Sequence, residues 1–139
     1  MATHATIKSA ISSVLSGITE ISFKYDHHRA DLEGYPAVTF DIIEERSEYL
    51  ENRTVLRTAV VEILVYQETK IKGLDAAASI LDNVANEIIQ TFTQDPNNDL
   101  SGVVDYCLPV SGGRNQWQSP QGLVLYQRLT LRCIFRESL

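Results

Sequence analysis

The chain has 139 residues, 44% of them hydrophobic and 22% charged, with a formal net charge of -6. That length fits one domain, and the composition is that of a folded globular protein rather than a disordered one. The acidic balance excludes a protein that grips nucleic acid by its phosphates through a basic patch. No apolar run approaches the roughly 20 residues that span a bilayer, so no membrane segment is expected. The start, MATHATIKSA, lacks the basic opening and long apolar core of a secretion signal.

Residues 3–17 read as an amphipathic helix, with Ile7, Ala10, Ile11, Val14, Leu15 and Ile18 at 3–4 spacing. Thr3 can cap its start and Gly17 suits its end. ISFKY then alternates Ile21, Phe23 and Tyr25 against Ser22 and Lys24, the pattern of a half-buried strand. The polar stretch DHHRADLEGY reads as a loop, and Pro36 opens a strand, AVTFDII. The charged segment EERSEYLENR, residues 44–53, has no glycine or proline and is not a tight turn. Either the two long strands continue outward as a hairpin, or a short helical turn caps their tip; in both cases the segment projects.

Thr54–Tyr66, TVLRTAVVEILVY, is the stretch around which the rest is organised. Val55, Ala59, Val61, Ile63 and Val65 fall on one face, and Leu56, Thr58, Val60, Glu62 and Leu64 on the other. It is followed by a helical stripe of Leu74, Ala77, Ala78, Leu81, Val84, Ala85, Ile88 and Phe92. That helix stops before Pro96, and QDPNND is a turn cluster. VVDYCLPV reads as a fourth strand, with Val104, Tyr106, Leu108 and Val110 opposite Val103, Asp105 and Cys107. SGGRNQWQSPQG, rich in glycine and serine, reads as a loop around the lone Trp117. LVLYQRLTLRCIF closes the chain as a fifth strand. The order is α-β-β-β-α-β-β, an α+β domain spanning 1–139. It implies a mainly antiparallel sheet of four to five strands with both helices on one face. Cys107 and Cys133 lie in strand-like segments and read as buried free thiols in a reducing compartment, with a cross-strand disulfide as the alternative.

Few residues suggest chemistry. Asp26, His27, His28 and Asp31 can bind metal, but adjacent histidines on an extended segment point opposite ways, so a solvated loop is the expectation. Ser111-Gly112-Gly113-Arg114 lacks the ending and the following helix of a phosphate-binding loop. Asn52-Arg53-Thr54 matches a glycosylation sequon, discounted because nothing suggests secretion. No nucleophile with a base and no paired carboxylates can be identified, so no enzymatic activity, cofactor or metal is expected. Two surface features remain. Glu44, Glu45, Glu48 and Glu51 surround Arg46, Tyr49, Leu50 and Arg53, either as a solvated connection or as a docking arm whose apolar tip solvent alone does not explain. Trp117 either folds back over the core or serves as an interface anchor.

The layout carries a resemblance. An amphipathic helix leads to a short strand and a GYPAVTF segment, Gly34 to Phe40. A charged connection, a long strand ending EILVYQET, a helix reading LDAAASILDNVANEII and two closing strands follow. This resembles the tail terminator (tail completion) proteins of long-tailed bacteriophages over nearly the whole chain, in pattern rather than in any short signature. The resemblance implies a mixed α+β fold and a homo-hexameric ring that caps the tail tube, halts its polymerisation and offers a surface to the head–tail connector protein. It also implies a structural protein of the virion, at the head-proximal end of the tail and in the host cytoplasm during assembly. DNA would pass through the ring without sequence-specific binding, and a carboxylate-rich lumen would keep it from sticking. In that setting Glu44, Glu45, Arg46, Glu48, Tyr49, Leu50, Glu51 and Arg53 become the candidate interface to a neighbouring subunit or the tail tube protein. Another phage neck or minor tail component is the alternative. A small bacterial binding domain or enzyme, dependent on the DHHRAD loop, is the more distant one.

Overall fold

A computed structural model describes residues 2–51, 53–70, 73–120 and 122–138. The elements are α1 (His4–Ser16), β1 (Phe23–Tyr25), β2 (Ala37–Tyr49), β3 (Thr54–Glu68), α2 (Leu74–Thr93), a short 3-10 turn (Asn97–Asp99), β4 (Tyr106–Ser119) and β5 (Gly122–Ser138). This is the α+β architecture and the order that the hydrophobic periodicity predicts. The strands form one sheet in the order β1-β2-β3-β5-β4. Only the three-residue β1 runs parallel to its neighbour; every other pair is antiparallel.

Both helices begin where local chemistry allows. At α1 the Thr3 hydroxyl accepts the Thr6 N–H while the Thr6 hydroxyl accepts the Thr3 N–H, a reciprocal cap for otherwise unpaired donors. Gly73, with φ of 83°, turns the chain into α2, a backbone angle at which a side chain would be strained. The predicted stripes then bury. Ile7, Ile11 and Leu15 of α1 and Ala77, Leu81, Val84, Ala85, Ile88 and Phe92 of α2 form one cluster with Val38, Phe40, Val61, Ile63, Val65, Leu129 and Leu131 of the sheet. Leu74, counted in the stripe from its spacing, is instead exposed at the first position of α2.

β3 and β5 lie at the centre, paired from Thr54↔Ser138 to Glu68↔Val124. Their alternation assigns one side chain set to the helices and the other to the opposite, open face. Cys107 and Cys133 face each other across β4 and β5 on the helix side, with sulfurs 3.8 Å apart. Both are free and buried. The neighbouring Cys107 thiol and burial push the Cys133 thiol well above the ordinary range, which keeps it protonated and unreactive.

Of two long hairpins, one takes a form the sequence allows and the other corrects the sequence reading. β2 runs on to Tyr49, so residues 44–49 are strand, and the hairpin form of the projecting segment is the one adopted. The supposed loop at 111–122 is mostly strand as well: β4 continues to Ser119, in register with β5 from Arg114↔Gln127 to Ser119↔Gly122. A bulge at Gly112 and Gly113 re-aims the strand midway. A Cβ at Gly112 would stand 2.9 Å from the Arg128 carbonyl, so the bulge needs glycine there. The buried Gln127 fastens it, donating to the Gly112 carbonyl at 2.8 Å and accepting from the Arg114 guanidinium at 3.1 Å. Arg114 also pairs with Asp82 on α2, so the glycine-rich stretch is a structural joint.

Candidate functional site

The helix side of the sheet is closed, and the open face is divided in two. Over one end the segment between β1 and β2 folds across the strands. Leu32, Ala37, Tyr66 and Val124 are buried there, with Phe23, Tyr25, Tyr35, Leu64, Trp117 and Tyr126 packed around them. Trp117 therefore stands on β4, not in a loop, and packs on this second cluster, the inward of the two readings. The Tyr66 and Tyr126 rings stack at 5.8 Å, and the Arg29 guanidinium lies 4.5 Å from the centre of the Tyr25 ring.

The histidine pair is split by the same segment. His27 faces outward beside Asp26 at 3.1 Å, while His28 turns inward, its Nδ1 2.7 Å from the Thr39 hydroxyl. Its Nε2 lies 3.2 Å from Glu62, off hydrogen-bond geometry. Arg29 pairs with Asp31 at 3.3 Å. Glu62 is held from its other side by Arg128 at 2.9 Å. Among the described residues no group of three or more histidines, cysteines or carboxylates is placed to hold a metal ion. Asn52 of the sequon lies outside the described residues.

Beyond that cluster the open face is bare. Its columns, read from the ladder, are Asp41, Glu44, Arg46 and Glu48 on β2; Glu62, Val60, Thr58 and Leu56 on β3; Thr130, Arg132, Ile134 and Arg136 on β5; and Val110, Leu108 and Tyr106 on β4. Val60 and Ile134 are buried in the middle, within reach of the stems of long charged neighbours. On the edge strand, Tyr106, Leu108 and Val110 are about half exposed, at 46%, 45% and 51%. Their alternation was legible, but an alternating strand does not say which of its faces is covered.

The β2–β3 hairpin supplies the second surface. Its inner part is tied down: Glu45 lies 3.0 Å from His4 and 3.8 Å from Arg57, and Arg57 also binds Ser47 and Glu137. Glu44 pairs with Arg46 along the strand at 2.8 Å, and that guanidinium holds the Glu44 carboxyl below its usual range. The tip is different. The turn is closed by the Leu50 N–H to the Thr54 carbonyl and the Thr54 N–H to the Glu51 carbonyl, both at 3.0 Å. Tyr49 is 76% exposed and Leu50 43%. Glu48, Tyr49, Glu51 and Arg53 make no side-chain hydrogen bond or ion pair among the described residues. Tyr49 and Leu50, expected near the tip of the charged segment, stand at the β2–β3 turn, which β5 accompanies as far as Thr54↔Ser138.

Asp41 marks where the hairpin leaves the core. Partial burial works to raise its pKa. The Lys8 ammonium at 3.0 Å, the Ile42 N–H at 2.8 Å and the charge of His28 outweigh that and hold the carboxyl below its ordinary value. A lowered carboxylate pKa stabilises the fold above the unfolded value of about 3.9, and that contribution is lost as pH falls through the folded value. Asp41→Asn should therefore reduce stability at pH 7 modestly, since the carboxylate is partly solvated, and leave it unchanged near pH 2. Urea unfolding at both pH values checks this; an equal loss at pH 2 would contradict it.

No helix among the described residues is long and apolar enough to cross a membrane. Compared with known proteins, the chain matches no protein-family model and no curated protein.

Proposed function

We propose that this chain is a tail terminator: a structural protein that closes into a ring on the end of a phage tail tube, stops its growth and presents a surface for the head connector. The observation that carries this reading is the β2–β3 turn, where Tyr49 and Leu50 stand exposed and without a side-chain partner among the described residues. It stands on a mixed α+β fold, the class that the resemblance implies. Single exposed apolar residues are ordinary on a globular surface, but an adjacent tyrosine and leucine at a turn within a charged run offer a docking surface both apolar area and aromatic anchoring. The mixed open face supports the reading further, because a ring needs two different complementary surfaces on each copy. The net charge of -6 suits a channel through which DNA slides without adhering. The protein acts by contact, with no catalytic step and no cofactor, at the head-proximal end of the tail, after assembly in the host cytoplasm.

The test is direct addition. Purified protein mixed with growing tail tubes of its phage should stop elongation and appear as a ring at one tube end by electron microscopy. Tubes that grow unchanged and bare would contradict the proposal.

A further inference from the structure

We infer that the hairpin tip of one copy docks on the Tyr106–Leu108–Val110 strip and Arg132 of a second copy. The inference rests on the ring reading above and names the two halves of the ring's repeating contact.

Among the large exposed apolar side chains of the described residues, two stand at the tip, Tyr49 and Leu50, and three on the strip, Tyr106, Leu108 and Val110. They belong to the two opposite margins of the sheet, since β2 and β4 are separated by β3 and β5. A hairpin that is part of the sheet cannot bend back onto that sheet's far edge, so within one chain the two surfaces never meet.

Charge distinguishes them. Glu48 and Glu51 flank the tip without ion-pair partners among the described residues, and residues 44–53 carry four carboxylates against two arginines. Beside the strip, β5 lines the open face with Arg128, Arg132 and Arg136. Arg128 is engaged by Glu62, whereas Arg132, across from Leu108, makes no ion pair within 4 Å among the described residues and feels only the more distant charge of Glu44 on the same face. An acidic tip with two apolar residues thus complements a basic margin with three.

The edge itself points the same way. Sheet edges are ordinarily guarded by charged side chains, and β4 from Tyr106 to Gly113 carries none, its guards being Pro109 and the bulge at Gly112 and Gly113. Because tip and strip lie on different strands of the sheet, one copy can offer its tip to one neighbour and its strip to another, the two complementary surfaces that a ring needs.

The experiment measures mass in solution by light scattering over a concentration series, with thermal melts confirming that each variant is folded. The wild-type chain should assemble beyond a dimer. Glu48→Arg and Arg132→Glu should each weaken assembly at least tenfold in concentration, and the two together in one chain should restore it. Leu108→Ser should weaken it with no charge change. Folded variants that assemble like the wild type, or a double variant no better than the singles, would overturn this contact while leaving the ring reading standing. A wild-type chain that stays monomeric throughout would overturn it too, and the tube-addition experiment would then decide the ring reading separately.

Discussion

Replacing Leu81 or Ile63 by alanine should destabilise the fold by about 2–5 kcal/mol, the range for truncating a large buried aliphatic side chain. Leu81 is the centre of the α2 stripe, 0% exposed, and Ile63 is the matching point on β3, 1% exposed. Each loses the transfer energy of three methyl or methylene groups and leaves a void that the surrounding strands and helix cannot fully close. Leu74→Ala on the same helix is the control. That side chain is 57% exposed, so its loss should stay within about 0.5 kcal/mol. Urea unfolding of the three variants checks the packing of α2 on the sheet. A loss under about half a kcal/mol at Leu81 would place the helix elsewhere.

The second large effect belongs to function, not to stability. Tyr49→Ser combined with Leu50→Ser should leave the melting transition in place, because neither side chain touches the core. The turn is closed by backbone bonds that the substitution does not remove. Docking should suffer instead. Losing a central aromatic anchor typically costs about 2 kcal/mol or more, roughly thirtyfold in affinity, and in a ring that loss recurs at every subunit. On the proposed function, the folded double variant should therefore fail to stop tube growth at concentrations where the wild type is expected to stop it. A variant that stops growth as well as the wild type would reduce the tip to a solvated ornament of the hairpin.

The contrast between these two sites tracks what was legible in the sequence. The α2 stripe and the β3 alternation are strong periodic signals, and the residues they mark are those that bury, apart from the exposed Leu74 and the half-buried Ala78. Tyr49 and Leu50 were legible as a tip because they are apolar residues inside a charged run. The second half of β4 was not, because Gly112, Gly113, Asn115 and Gln116 have the composition of a loop. What makes that stretch a strand is long-range: the β5 ladder and the amide of Gln127, sixteen residues from Ser111 and fifteen from Gly112. The outward aim of Tyr106, Leu108 and Val110 was equally hidden, since alternation gives two faces without naming the covered one. His28 shows the converse. It sits in a polar stretch that reads as solvated, yet tertiary packing turns it toward Thr39 and Glu62.

The most direct measurement of the central claim is the length distribution of tails in a phage that lacks this gene, with and without the wild-type chain supplied in trans. Electron micrographs should show overlong tails without heads when it is missing, and tails of uniform length joined to heads when it is supplied. Uniform, head-bearing tails in its absence would contradict the claim that this chain terminates the tube.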